Sequence, residues 1–128
     1  MADRNAWARG PRSFDDPRSR VFCFPYAGAG ASAFRRWADD APPGVHVVAV
    51  QPPGHEDRIA EAIPTSVAEL ARAAADALRP LADRPFVLFG HSLGALVAYE
   101  VALALDDAGA APAGLIVSAH GAPGAPRR

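Results

Sequence analysis

The chain is poor in the residues that most often carry redox or metal chemistry: 128 residues hold one cysteine, one methionine and four histidines. A lone cysteine excludes an internal disulfide, and the apolar neighbours of Cys23 make it a buried thiol rather than a nucleophile. The histidines show no metal-ligand spacing, so neither a metal nor a cofactor is expected. Charge of one sign is lacking too. The formal net charge is −1 and no basic block occurs, which argues against nucleic acid or an anionic membrane as partner. All thirteen basic side chains are arginine; with the abundant alanine, glycine and proline, this is the bias that GC-rich coding produces, and it points to no mechanism. No segment holds the ~20 apolar residues that a bilayer span needs, and residues 1–19 lack a signal-peptide core, so the cytoplasm is expected.

What the chain does have is a set of short apolar runs separated by helical patterns. Residues 21–24, 45–50, 86–89 and 115–117 read as strands, nearly continuous in apolarity, as strands covered on both faces are. Between them lie helical patterns at residues 32–39, from Ser66 onward, and from Leu93 onward. Ser66-Val67-Ala68-Glu69 forms a capping box, and Gly109 is a stop signal for the last helix. Alternation of this kind specifies an α/β fold: a mostly parallel sheet of about four strands flanked by helices, in the order 2-1-3-4. Residues 1–19 are expected to be a flexible polar leader.

Gly90-His91-Ser92-Leu93-Gly94 lies where the strand Phe86-Val87-Leu88-Phe89 turns into a helix. In that context Gly-x-Ser-x-Gly is a nucleophile elbow, with Ser92 as nucleophile and the Leu93 backbone N–H aimed at an oxyanion. A purely structural strand-to-helix turn is the alternative. A second segment, Phe24-Pro25-Tyr26-Ala27-Gly28-Ala29-Gly30, follows the first strand, and the Ala27 N–H is its candidate for the second oxyanion donor. Its rival reading is a dinucleotide site, because Gly28 to Ala33 matches Gly-x-Gly-x-x-Ala; the acidic residue expected about 20 positions on is missing. A third segment, Pro52-Pro53-Gly54-His55-Glu56-Asp57-Arg58, is either a solvated loop or a site in which Arg58 holds an anion or anchors the loop by a bidentate pair.

Taken in order, these blocks resemble the type II thioesterases of polyketide and nonribosomal peptide synthesis. The similarity lies in Phe22 to Gly28, Gln51 to Arg58, Phe89 to Ala95, and Val117-Ser118-Ala119 with Ala122-Pro123. The resemblance implies an α/β-hydrolase fold and hydrolysis of acyl groups from the phosphopantetheine thioester of an acyl or peptidyl carrier protein. It assigns Ser92 as nucleophile and Leu93 and Ala27 as oxyanion donors; Tyr26, Gly28, His91 and Arg58, which lie in or beside these blocks, are candidate substrate-binding residues. This chain departs from the family at His55, where arginine is common, and at Gly30, one residue later than the usual paired glycine.

The family's acid and base follow the nucleophile in chain order, on later strands. After Ser92 the chain offers Glu100, Asp106, Asp107 and His120. Only His120 emerges at the edge where Ser92 is expected. Residues 20–128 are therefore expected to be a truncated thioesterase domain with impaired activity and an open apolar sheet edge prone to self-association. Competing readings are another serine esterase or lipase, a catalytically dead carrier-protein-binding domain and, more remotely, a dinucleotide-binding module.

Overall fold

A computed structural model describes residues 5–9 and 16–119. Five strands form one sheet: β1 (Ala8–Arg9), β2 (Ser19–Phe24), β3 (Val45–Val50), β4 (Phe86–His91) and β5 (Gly114–Ser118), ordered β1-β3-β2-β4-β5. The last four run parallel, with Val21 between Val47 and Val87 and Phe89 beside Ile116. Their order is the one that the sequence predicts.

Period-two alternation along the strands divides the core between two faces. Phe22, Phe24, Val48, Val50, Phe86 and Leu88 pack against the helices α2 (Val67–Leu78) and α3 (Leu93–Asp107). Cys23, Val47 and Ala49 point the other way, against Phe34 and the short helix α1 (Arg35–Asp40). Burial pushes the Cys23 thiol up to about 12, so it stays protonated and unreactive at neutral pH.

Three elements differ from the sequence reading. The expected polar leader contains β1, which pairs antiparallel with β3. Two residues are too few to show a periodicity, and what holds them is tertiary: Gln51 N–H donates to the Trp7 carbonyl at 2.8 Å. The helix expected over residues 32–39 begins as a tight 3-10 turn, Ala31–Phe34, before α1. The capping box is offset on its return arm: Ser66 Oγ accepts from Glu69 N–H at 3.1 Å, but the Glu69 carboxylate turns to Thr65 Oγ1, also at 3.1 Å.

At its far end α3 closes as the stop signal requires. Gly109 adopts φ +85°, Ala110 N–H donates to Leu105 C=O at 2.8 Å and Gly109 N–H to Asp106 C=O at 3.0 Å, which is a Schellman cap. Among the described residues β5 pairs only with β4, and Ile116 on it is 54% exposed.

The Ser66 cap yields a direct test. Ser66→Ala removes the acceptor for the first turn of α2 and is expected to cost about 1 kcal/mol, read as a lower urea midpoint at unchanged m-value. An unchanged midpoint would show that Thr65 and Glu69 suffice.

Candidate active site

The backbone at Ser92 is held at φ 57°, ψ −119°, outside the regions where side-chain-bearing residues rest easily. Such strain costs about 1–3 kcal/mol and persists only where its surroundings enforce it. Here they do. Ser92 N–H donates to the Ser118 carbonyl at 2.8 Å, and Ala95 N–H to the Ser92 carbonyl at 2.9 Å.

Glycine is required on both sides of the serine. A Cβ on Gly90 would lie 2.2 Å from the Gly94 carbonyl oxygen, and one on Gly94 would lie 2.2 Å from the Phe24 and 2.6 Å from the Pro25 carbonyl oxygens. These are backbone atoms that no rotamer change moves aside. The same closeness brings the end of β2 against the first turn of α3.

The segment after β2 turns at once. Ala29 N–H donates to the Tyr26 carbonyl at 3.0 Å, with Gly28 at φ +80° in the third position of the turn, where type II geometry calls for glycine. Among the described residues neither Ala27 N–H nor Leu93 N–H has a backbone acceptor. Leu93 is the first residue of α3, so its N–H is one of the orphan donors at the positive end of that helix. Ser92 is half-buried, and no described residue hydrogen-bonds its hydroxyl.

Residues 19–128 match the thioesterase domain family. The chain belongs to that family. It is 37% identical over 123 residues to the gramicidin S biosynthesis protein GrsT of Aneurinibacillus migulanus, covering 95% of this chain and 48% of that protein. It is also 37% identical over 121 residues to a probable cadicidin biosynthesis thioesterase of Streptomyces griseus, covering 94% of this chain and 34% of that one. In structure it is similar to the type II thioesterase BorB from the borrelidin biosynthetic cluster, with a TM-score of 0.89 and 35% identity over 99% of this chain and 52% of BorB. The chain thus spans about half, or less, of the length of these relatives. The resemblance to type II thioesterases and the α/β-hydrolase class of the fold both hold.

Around this thioesterase elbow, two of the sequence-selected side chains meet. His91 and Tyr26 pack in a T-shaped ring contact, with centroids 5.7 Å apart, and His91 Nδ1 lies 3.2 Å from Ser118 Oγ. Arg58 is different. It is 8% exposed, with Nε and Nη2 donating to the two carboxylate oxygens of Glu61 at 2.8 and 2.7 Å, and Nη1 donating to the Gln51 carbonyl at 2.7 Å. Its guanidinium also stacks on Trp7, 4.6 Å from the ring centre. Of its two expected uses, the bidentate anchor is the one observed; a substrate anion would have to displace these partners.

The dinucleotide reading fails on the same loop. Gln51 Oε1 accepts from Ala31 N–H at 2.7 Å, and Glu56 accepts from both the N–H and the hydroxyl of Ser32. The amides that a pyrophosphate would need are therefore taken by the chain's own acceptors. Gly30 fits this crowding, since a Cβ there would meet Gln51 and Glu56 at 2.5–2.6 Å. His55 Nδ1 lies 3.0 Å from the Pro53 carbonyl. No cluster of metal-ligating side chains occurs among the described residues, and none of their helices is long and apolar enough to cross a membrane.

No acid or base joins Ser92 among the described residues. Asp106 lies near the far end of α3, about 20 Å away at 1.5 Å per residue. His120, the one histidine after the nucleophile, lies outside the described residues.

The Gln51 network has a pH signature. The Ser32 hydroxyl first, then Gln51 and the Ser32 N–H, hold the Glu56 carboxyl below the usual range against the opposing effect of burial. The Gln51 amide and Arg9 do the same for Asp57. A depressed folded-state pKa contributes stability above the unfolded value, about 4.3 for glutamate, and that stability disappears as the pH falls through the folded value. Urea midpoints should therefore drop between pH 5 and pH 3, and Glu56→Gln should flatten the drop. Parallel profiles for the two proteins would remove Glu56 from the account.

Proposed function

We propose that this chain carries the nucleophile and oxyanion hole of a type II thioesterase, hydrolysing acyl groups from the phosphopantetheine thioester of an acyl or peptidyl carrier protein in polyketide or nonribosomal peptide synthesis. The observation that carries this reading is the strained Ser92 turn together with two backbone donors, Ala27 N–H and Leu93 N–H, that have no backbone acceptor among the described residues. The family match and the biosynthetic names of the relatives support it. Cytoplasmic location follows from that role.

In this mechanism Ser92 Oγ attacks the thioester carbonyl carbon while its proton passes to a base. The oxyanion is held by Ala27 N–H and Leu93 N–H. The C–S bond then breaks, the thiol leaves protonated, and water hydrolyses the acyl-enzyme. Backbone donors suit this task because their positions are set by the Gly94 contact and need no rearrangement as charge develops. Tyr26, Gly28 and His91 form the rim over which the substrate approaches.

The described residues supply no proton acceptor, and we propose that these 128 residues acylate slowly. Oxyanion stabilisation and binding alone retain about 10³ to 10⁴-fold over water in serine hydrolases stripped of their triad. A fluorophosphonate probe should label the chain, and Ser92→Ala should abolish both the labelling and any hydrolysis of acyl-carrier protein. Equal hydrolysis by the two proteins would overturn the assignment of Ser92. Carrier-protein capture without labelling would instead favour a catalytically dead binding domain.

The reading also includes self-association through β5, which among the described residues pairs only with β4 and carries the exposed Ile116. Sedimentation velocity should show species larger than a monomer that increase with concentration. A monodisperse monomer would overturn this part of the reading.

A further inference from the structure

At the end of the sheet where Ser92 stands, the His91 side chain reaches both neighbouring strands. His91 closes β4, which lies between β2 and β5, and in register it stands beside Ser118. On the β5 side its Nδ1 is 3.2 Å from Ser118 Oγ, and the Ser118 carbonyl accepts the Ser92 N–H at 2.8 Å. On the β2 side its ring packs against the ring of Tyr26, the residue before Ala27, with centroids 5.7 Å apart. One imidazole thus joins the residue that holds the Ser92 amide to the residue that precedes the Ala27 amide.

We infer that His91 is a positioning residue of the oxyanion hole, acting on the Ala27 N–H through Tyr26 and on the Ser92 turn through Ser118. The inference rests on the proposed role of Ser92. The close approach of Gly94 fixes the chain after β2 as far as the Pro25 carbonyl. The Ala27 amide lies two residues further on, in a turn whose own bond, from Ala29 N–H to the Tyr26 carbonyl, stays within the turn. The Tyr26 ring against His91 ties that turn to the elbow. Tyr26 is 49% exposed, so burial alone holds it weakly. Tyr26, Ala27 and Leu93 line one cleft, and a shift of the turn changes the spacing of its two donors. Donors stabilise a developing charge only where they are already in place.

The two arms of His91 are chemically separable. Asparagine sets a carboxamide near the place of Nδ1, able to donate or to accept whichever way the Ser118 bond runs, but it has no ring for Tyr26. Phenylalanine keeps the ring and loses the bond. Alanine loses both.

The test is the rate at which a fluorophosphonate labels Ser92, followed by intact mass over a range of probe concentrations so that the maximal rate and the half-saturating concentration are read separately. In the reaction the Ser92 Oγ–P bond forms, the P–F bond breaks, fluoride leaves and the hydroxyl proton passes to water, while the phosphonyl oxygen takes the place of the oxyanion. His91→Ala should lower the maximal rate about tenfold at an unchanged half-saturating concentration, a smaller loss than the roughly 10² to 10³-fold that follows removal of an oxyanion donor. His91→Phe and His91→Asn should each recover part of that loss. Ser118→Ala removes the same bond from its other end and should match His91→Phe, a comparison that stands even if His91→Ala fails to fold. Urea midpoints read stability apart from rate. Midpoints that fall while the maximal rates stay at the wild-type value would show a merely structural contact, and the inference falls while the role of Ser92 stands. It falls likewise if the change is confined to the half-saturating concentration, which would set His91 against the probe, or if the phenylalanine and asparagine variants are as slow as alanine. If the unaltered chain is not labelled at Ser92, the role of Ser92 falls and this inference with it.

Discussion

The contact on which this site depends involves no side chain: the backbone of Gly94 lies against the carbonyl oxygens of Phe24 and Pro25, closer than a Cβ would allow. It joins two segments about 70 residues apart in sequence, the turn after β2 and the first turn of α3. Through it the turn that carries Ala27 and the helix start that carries Leu93 come to line one cleft. An oxyanion hole made of backbone donors needs their spacing held rigidly. Backbone-to-backbone contact does this better than any pair of rotatable side chains. The glycines at 90 and 94 are thus packing requirements that have a chemical consequence.

A second set of interactions holds the neighbouring loop. Gln51, at the end of β3, accepts from Ala31 N–H and donates to Glu56 and Asp57, while its own carbonyl accepts from Arg58. Asp57 pairs with Arg9 on β1 at 2.6 Å, and Arg58 stacks on Trp7. These contacts bind the turn after β2, the loop after β3 and the N-terminal strand into one unit. Much of it is polar and part-exposed, so the buried bonds of Gln51 and Arg58 contribute more than the surface pair of Arg9 and Asp57, which solvent screens. The charged residues of this loop brace the site, and no substrate is needed to explain them.

Legibility in the sequence followed the range of the forces involved. The four parallel strands and their order could be read because β-branched apolar runs and helical spacing are local patterns. The elbow could be read because its glycines answer to a steric demand within five residues. Strand β1 escaped, since two residues carry no period and its pairing is fixed by Gln51 and Trp7 at a distance. Arg58 was ambiguous for a similar reason: the bidentate geometry with Glu61 was foreseeable in kind, but stacking on Trp7 depends on a strand that the sequence did not announce. The capping box shows the limit at close range. Its Ser66 half formed as read, whereas Glu69 found the neighbouring Thr65 hydroxyl.

Strain at Ser92 separates what identifies the family from what completes the chemistry. The unfavourable φ,ψ of Ser92 is offset by bonds from its own N–H to Ser118 and to its carbonyl from Ala95, and by the close passage of Gly90 and Gly94. None of these contributions involves the serine hydroxyl or a base. A chain can therefore keep the elbow geometrically intact with its hydroxyl unpartnered, because packing of the sheet against α3 maintains the turn. Proton transfer obeys a different condition, since an imidazole must be held within hydrogen-bond reach of Oγ by segments that the elbow does not control. The backbone that marks this chain as a member of the thioesterase family and the side-chain constellation that sets the rate of a serine hydrolase are thus stabilised independently, and the first is no measure of the second.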